Sequence, residues 1–213
     1  HAGGLVGSLS KNNRITASYS AGLVTGHVAG GLVGRLSDSN QITASYSTGS
    51  VISTYNTAGG LIGSVEKNNH ITASFSTGNV SGDGSYIGGF IGYAETPTNI
   101  INNSYWALDS SGQILSNSST ETTNYVGLTL ATLQCATEAN TNAANSNCVS
   151  VDGSDEGLSA GLTLYADWQA SGYWEFGNDQ QLPGLKLASV VFRDSDGDGS
   201  LDEYDAFYLN PVA

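Results

Sequence analysis

Gly3-Gly-Leu-Val-Gly7 is followed by Ile15-Thr-Ala-Ser-Tyr-Ser20, and the pair of elements returns three more times. The glycine element recurs at Gly30 to Gly34, Gly59 to Gly63 and Gly88 to Gly92, at steps of 27, 29 and 29 residues. The second element recurs as Ile42-Thr-Ala-Ser-Tyr-Ser47, Ile71-Thr-Ala-Ser-Phe-Ser76 and the divergent Ile101-Asn-Asn-Ser-Tyr-Trp106. A third, shorter element carries Val24, Val51 and Val80. Self-similarity at such a period marks a repeat architecture, in which each unit buries its apolar face only by stacking on the next.

These segments alternate with period 2, are rich in β-branched and aromatic residues, and are separated by Asn, Gly and Ser, so they predict strands joined by turns. The glycine density argues against helix. Alternation through the second element places Ile, Ala and Tyr/Phe on one face and Thr, Ser and Ser on the other. Stacking about 4.8 Å apart then predicts three interior columns: Ile15, Ile42, Ile71 and Ile101; Tyr19, Tyr46, Phe75 and Tyr105; Leu5, Leu32, Leu61 and Phe90. The expected fold class is all-β, a parallel β-solenoid (β-helix) of about four coils. The glycines read as corners of positive φ and points of close approach between coils; a phosphate-cradling loop would need a strand before and a helix after them. Asn12-Asn13, Asn40 and Asn68-Asn69 precede the Ile column, where an Asn ladder at a corner is expected.

The Gly-Gly-Leu-Val-Gly and Ile-Thr-Ala-Ser-Tyr-Ser pattern over residues 3–106 resembles the GLUG-motif repeats of large secreted or surface-anchored bacterial proteins. The resemblance implies an extracellular or bacterial cell-surface location and an adhesive or spacer role. It does not fix an activity.

Composition narrows the partners. The chain has 213 residues with 6 Lys+Arg against 19 Asp+Glu, for a formal charge of −13, which argues against nucleic-acid binding. No apolar run is long enough to span a membrane as a helix. With no initiator Met and an opening inside a repeat, the chain reads as a piece of something longer. Acidic and basic residues balance over 1–106, so the whole net charge falls after residue 106.

Three regions are expected: a solenoid over 1–106, an irregular capping region with short helices over 107–190, and an acidic segment over 191–213. In the middle region Thr129 is placed to cap a short helix through Gln134, and Tyr165 to Trp168 is another short piece. Trp168, Tyr173, Trp174 and Phe176, followed by Leu182-Pro-Gly-Leu185, offer the bulk to close an open solenoid end; an aromatic platform for sugar stacking is the alternative. Cys135 and Cys148 are the only cysteines, and a disulfide between them would close a polar loop. The cluster Asp152, Asp155 and Glu156 lacks ligand spacing.

Residues 194–205 read Asp-Ser-Asp-Gly-Asp-Gly-Ser-Leu-Asp-Glu-Tyr-Asp. Counting Asp194 as position 1, carboxylates fall at Asp196, Asp198, Asp202 and Asp205, Gly199 takes the sharp turn, the carbonyl of Ser200 fits position 7, and Leu201 points to a core. A hard divalent cation wants such oxygens, and the expected ion is Ca2+. The pattern is similar to the calcium loops of EF-hands, and more so to dockerin and thrombospondin type 3 repeats, which also end in Asp. Glu203 lies off register. An extracellular structural site predicts an affinity on the order of 0.1–1 mM.

No catalytic constellation is legible. His70 occupies the column of Arg14 and Gln41, His27 lies in a Gly-rich turn, and neither a nucleophile elbow nor a zinc-helix motif is present. The expectation is therefore not an enzyme but a structural or adhesive segment. A glycan-binding module using the late aromatics is the alternative. An ice-ordering face made of Thr16-Ser18-Ser20, Thr43-Ser45-Ser47 and Thr72-Ser74-Ser76 is a third reading. The first coil has unpaired strand edges, which predicts assembly there with neighbouring repeats or another copy, possible fibre formation included.

Overall fold

The computed structural model describes residues 1–95, 98–114, 124–135, 164–165, 167–178 and 180–205. Three parallel sheets run along the repeats. The first joins Ala2–Gly3, Val24–Gly30, Val51–Gly59 and Val80–Gly82, with Tyr86–Gly88 also pairing on Val51–Gly59. The second joins Val6–Ser10, Val33–Ser37, Ile62–Val65 and Ile91–Ala94. The third takes the two halves of each Ile-Thr-Ala-Ser-Tyr-Ser element onto a single long strand, Ile100–Ala107, on which Asn124–Leu128 adds a further parallel strand. The chain is a β-solenoid of about four coils. Coils 1 to 4 are counted from Gly3, Gly30, Gly59 and Gly88.

The register is the one the repeats predict. Ile15, Ile42, Ile71 and Ile101 are direct partners from coil to coil, as are Tyr19, Tyr46, Phe75 and Tyr105, and as are Val24, Val51 and Val80. At the corner before the Ile column, Asn40 Oδ1 accepts from Asn13 N at 3.0 Å and Asn13 Nδ2 at 3.1 Å. Asn69 serves Asn40 in the same way at 2.9 and 3.1 Å, and Asn99 serves Asn69 at 3.0 and 3.2 Å. The expected ladder thus satisfies corner amides that no strand pairs.

The side-chain directions differ from a simple alternation. Ala17, Ala44, Ala73 and Asn103 sit at φ 47–50°, in the left-handed region, in the middle of each element. That turn flips the rest of the motif: the Ile column stays in the solenoid interior with Leu32, Leu61 and Phe90, while the Tyr/Phe column joins a different apolar cluster outside it. The expectation that both columns share one interior is corrected here. Leu5, in the terminal coil, is 48% exposed and does not complete its column.

The repeat glycines serve close approach, not positive φ. A Cβ on Gly30 would lie 2.0 Å from the Val33 carbonyl oxygen, and one on Gly31 would lie 2.1 Å from both Gly60 O and Ser47 Oγ. The last Ser of each second element is thus packed under the second Gly of the first, which explains why the two motifs travel together. In coil 4 Trp106 replaces that Ser, lies against Gly89 and Gly127, and fills the interior at that end. In the hydroxyl row read as an ice face, Ser45, Ser47, Ser74 and Ser76 are buried while Thr16, Ser18, Thr43 and Thr72 are half-buried, and Ser45 Oγ donates to Thr43 O at 3.1 Å.

The late aromatics cover the flank of the solenoid rather than its end. Tyr46 and Phe75 stack at 4.9 Å and 3°, and Trp174 and Trp168 pack over Phe75 at 5.7 and 6.2 Å. At coil 4 Tyr105 meets Tyr165 edge-on at 5.2 Å; at coil 1 Tyr19 stacks on Phe192 at 5.5 Å. Trp174–Glu175, Gly184–Leu187 and Val190–Phe192 form a small antiparallel sheet in this cover, and Leu182 and Leu185 are buried with it. Thr129 caps the helix Leu130–Leu133, accepting from Thr132 N at 3.2 Å, as read from sequence. At roughly 1.5–3 kcal/mol per fully buried large apolar side chain, this seam is a major source of stability. No helix among the described residues is long and apolar enough to cross a membrane.

Candidate metal centre

The flank cover ends at Phe192, and the acidic loop begins two residues later. Arg193 bonds the Glu175 carboxylate and donates to the Glu175 carbonyl at 2.8 Å, which anchors the entry to the loop. Gln134 Nε2 donates to Ser195 O at 2.9 Å, and Leu182 N donates to the same oxygen at 3.2 Å. Leu201 is buried, as its place in the register required. These contacts hold the loop against coils 1 to 3: a Cβ on Gly199 would lie 3.0 Å from Ala21 O, and one on Gly197 would lie 2.8 Å from Thr77 Oγ1.

Within the loop, Asp194, Asp196 and Asp198 each bring a carboxylate oxygen within 4.8 Å of the others, a group able to hold a metal ion. Asp194 and Asp196 are each 1% exposed, whereas Asp198 opens to solvent. Asp194 accepts from Gly197 N and Gly199 N, both at 2.8 Å. Gly197 and Gly199 have φ of 74° and 97°, the left-handed conformations that aim their N–H groups inward and that only glycine adopts freely. Asp198 Oδ1 accepts from Ser200 N at 2.8 Å. Burial pushes the Asp194 carboxyl up to about 7; the Asp198 charge pushes the same way, while the Thr48 hydroxyl and the two glycine amides pull it down. A buried carboxylate with acidic neighbours and few cations is the situation a bound divalent ion relieves.

The sequence register also names Asp202, Asp205 and the Ser200 carbonyl. Asp202 accepts from Ser195 N and Ser195 Oγ, each at 2.7 Å, and so closes the loop on itself. Asp205 is half-buried and is not one of the three gathered carboxylates, Ser200 is exposed, and Glu203 is exposed as expected for an off-register residue. Cys135 is disulfide-bonded; Cys148, the chain's other cysteine, and the Asp152, Asp155 and Glu156 cluster lie outside the described residues.

Residues of the solenoid that the sequence register did not include also face the loop. Thr48 and Thr77 are direct neighbours in coils 2 and 3, and the equivalent positions in coils 1 and 4 are Ala21 and Ala107. A cavity of about 460 Å3 between loop and solenoid is lined by Thr48, Thr77, Asn79, Asp109, Asp196 and Asp198, among others. The signal that could have found them is the appearance of Thr in an otherwise Ala column. Trp168 and Trp174, candidates for a sugar platform, are 0% and 5% exposed and offer no face for stacking.

Comparison of the chain with protein-family models, with curated proteins and with solved structures gave no match.

Proposed function

We propose that the chain is a non-catalytic structural or adhesive segment of a secreted or cell-surface bacterial protein, with Ca2+ as the ion that its acidic loop takes up. The observation that carries this reading is the position of the loop: three carboxylates are gathered where the flank cover meets coils 2 and 3, so an ion there strengthens the attachment of the cover rather than serving a reaction. The hard oxygen donors suit Ca2+, and the open Asp198 side leaves room for the water ligands that Ca2+ accepts more readily than tight octahedral Mg2+. The disulfide at Cys135 supports an oxidising, extracellular setting, where millimolar Ca2+ is at hand. The resemblance of residues 3–106 to GLUG repeats supports the same surface role.

The solenoid supplies reach and the first coil supplies a junction. Ala2–Gly3, Val6–Ser10, Arg14–Thr16 and Tyr19–Ser20 pair with coil 2 on one side, and among the described residues no strand pairs on the other. That edge takes a further coil of parallel strands, from neighbouring repeats or from another copy. Thermal unfolding in 10 mM Ca2+ against excess chelator tests the cation role. With an affinity of 0.1–1 mM, ligand linkage gives about 1.4–2.7 kcal/mol, or several degrees in Tm for a domain of this size. An unchanged Tm overturns the reading.

A further inference from the structure

Thr77 has a hydroxyl that no described residue engages. The residue is 0% exposed, and its Oγ1 is buried without a hydrogen-bond partner among the described residues. Native proteins rarely leave a buried hydroxyl unsatisfied, because each such group costs about 1–3 kcal/mol. Its surroundings are specific. Thr77 and Thr48 line the same cavity as Asp196 and Asp198, and a Cβ on Gly197 would lie 2.8 Å from Thr77 Oγ1. Thr48 lies one coil away in the same column, beside Asp194. Coils 1 and 4, which lack this arrangement, carry Ala21 and Ala107 in that column.

We infer that Thr77, with Thr48 beside it, donates neutral oxygen ligands from the solenoid to the cation held by Asp194, Asp196 and Asp198. The inference rests on the reading of the loop as a cation seat and adds what that reading does not contain: the seat is shared between the loop and coils 2 and 3. Three carboxylates offering one oxygen each fall short of the 6–8 oxygens that Ca2+ takes, and neutral hydroxyls add donors without adding repulsion to a group already dense in charge. The ion then joins two parts of the chain that are about 120 residues apart in sequence (Thr77 and Gly197).

The test is calorimetric titration of Ca2+ into the full chain, repeated with Tb3+ followed by luminescence. Thr77→Val keeps the β-branched shape and removes the oxygen; Thr77→Ser keeps the oxygen. The expected result is affinity weakened roughly 10–100-fold in Thr77→Val, the range seen when a supporting group is removed from a metal site, and near-native affinity in Thr77→Ser. In chelator, Thr77→Val unfolds at a Tm no lower than the parent, since it removes an unsatisfied group. Binding by Thr77→Val equal to the parent, or equal weakening in Thr77→Ser, overturns the inference while leaving the loop as a cation seat. No binding by the parent chain overturns the cation reading itself. Thr48→Val is the second variant, and it carries the same expectation for Ca2+ affinity should Thr77→Val not fold.

Discussion

The hydroxyl of Tyr46 donates to the carbonyl of Phe192 at 3.0 Å, across 146 positions of sequence. That bond fastens the flank cover to coil 2 two residues before Asp194, so the solenoid and the acidic loop are parts of one packed unit. Tyr46→Phe keeps the stack on Phe75 and removes only the bond. The expected loss is about 1 kcal/mol, and Trp168→Ala, which empties the centre of the cover, costs about 3–5 kcal/mol. Denaturant midpoints of the two variants check the order.

Burial raises the Tyr46 and Tyr165 hydroxyls well above the ordinary tyrosine value and pushes Tyr105 up to about 12. A raised acid is neutral in the folded protein at pH values where the unfolded chain ionises it, so the unfolded state gains free energy from deprotonation as pH climbs above about 10. Stability is therefore level with respect to these groups below pH 10 and declines above it. Absorbance at the tyrosinate band is expected to report these three rings only together with loss of structure; their titration in a folded chain near pH 10 would contradict the packing.

Gly31 and Gly22 separate close approach from mere flexibility. A Cβ on Gly31 meets Gly60 O and Ser47 Oγ at 2.1 Å, whereas one on Gly22 meets nothing within 4 Å. Gly31→Ala is expected to cost several kcal/mol because backbone must move, and Gly22→Ala to stay within about 1 kcal/mol of the parent. Equal Tm values for the two variants would mean the coils do not pack this tightly.

The Asn ladder gives a third mutational test. Asn69 is fully buried; its Oδ1 accepts from Asn40 N and Nδ2 and its Nδ2 donates to Asn99 Oδ1, so Asn69→Ala strands Asn40 N while Asn99 Oδ1 keeps the backbone N–H of residue 69. A loss of about 1–3 kcal/mol is expected, with Asn69→Ser recovering little of it because the shorter side chain does not reach Asn40 N.

Much of this was legible in the sequence, for reasons that concern particular residues. Repeat spacing fixes which side chains are coil-to-coil partners, so the Ile column, the Asn corner and the exposed position of His70 followed from register alone. Direction did not follow, because the left-handed turn at Ala17, Ala44 and Ala73 interrupts the alternation, and alanine carries no mark of that conformation. The place of the flank cover is hidden for a related reason: with Tyr19 and Tyr46 read as interior, no apolar flank remains for Trp168 and Trp174 to bury. The acidic loop was legible as a cluster of donors, since Asp at alternate positions with two glycines is a local pattern. That Asp202 turns back to Ser195, and that Thr48 and Thr77 stand opposite the loop, depends on contacts between distant parts of the chain.

Hydrogen exchange with and without Ca2+ tests most directly whether the loop and the solenoid flank are joined by a cation. The account predicts that Ca2+ slows exchange of the amides of residues 194–202 and, in the same titration, of those around Thr48 and Thr77, while coil 4 near Ile101 is unchanged. Protection confined to the loop, or no protection at all, would contradict it.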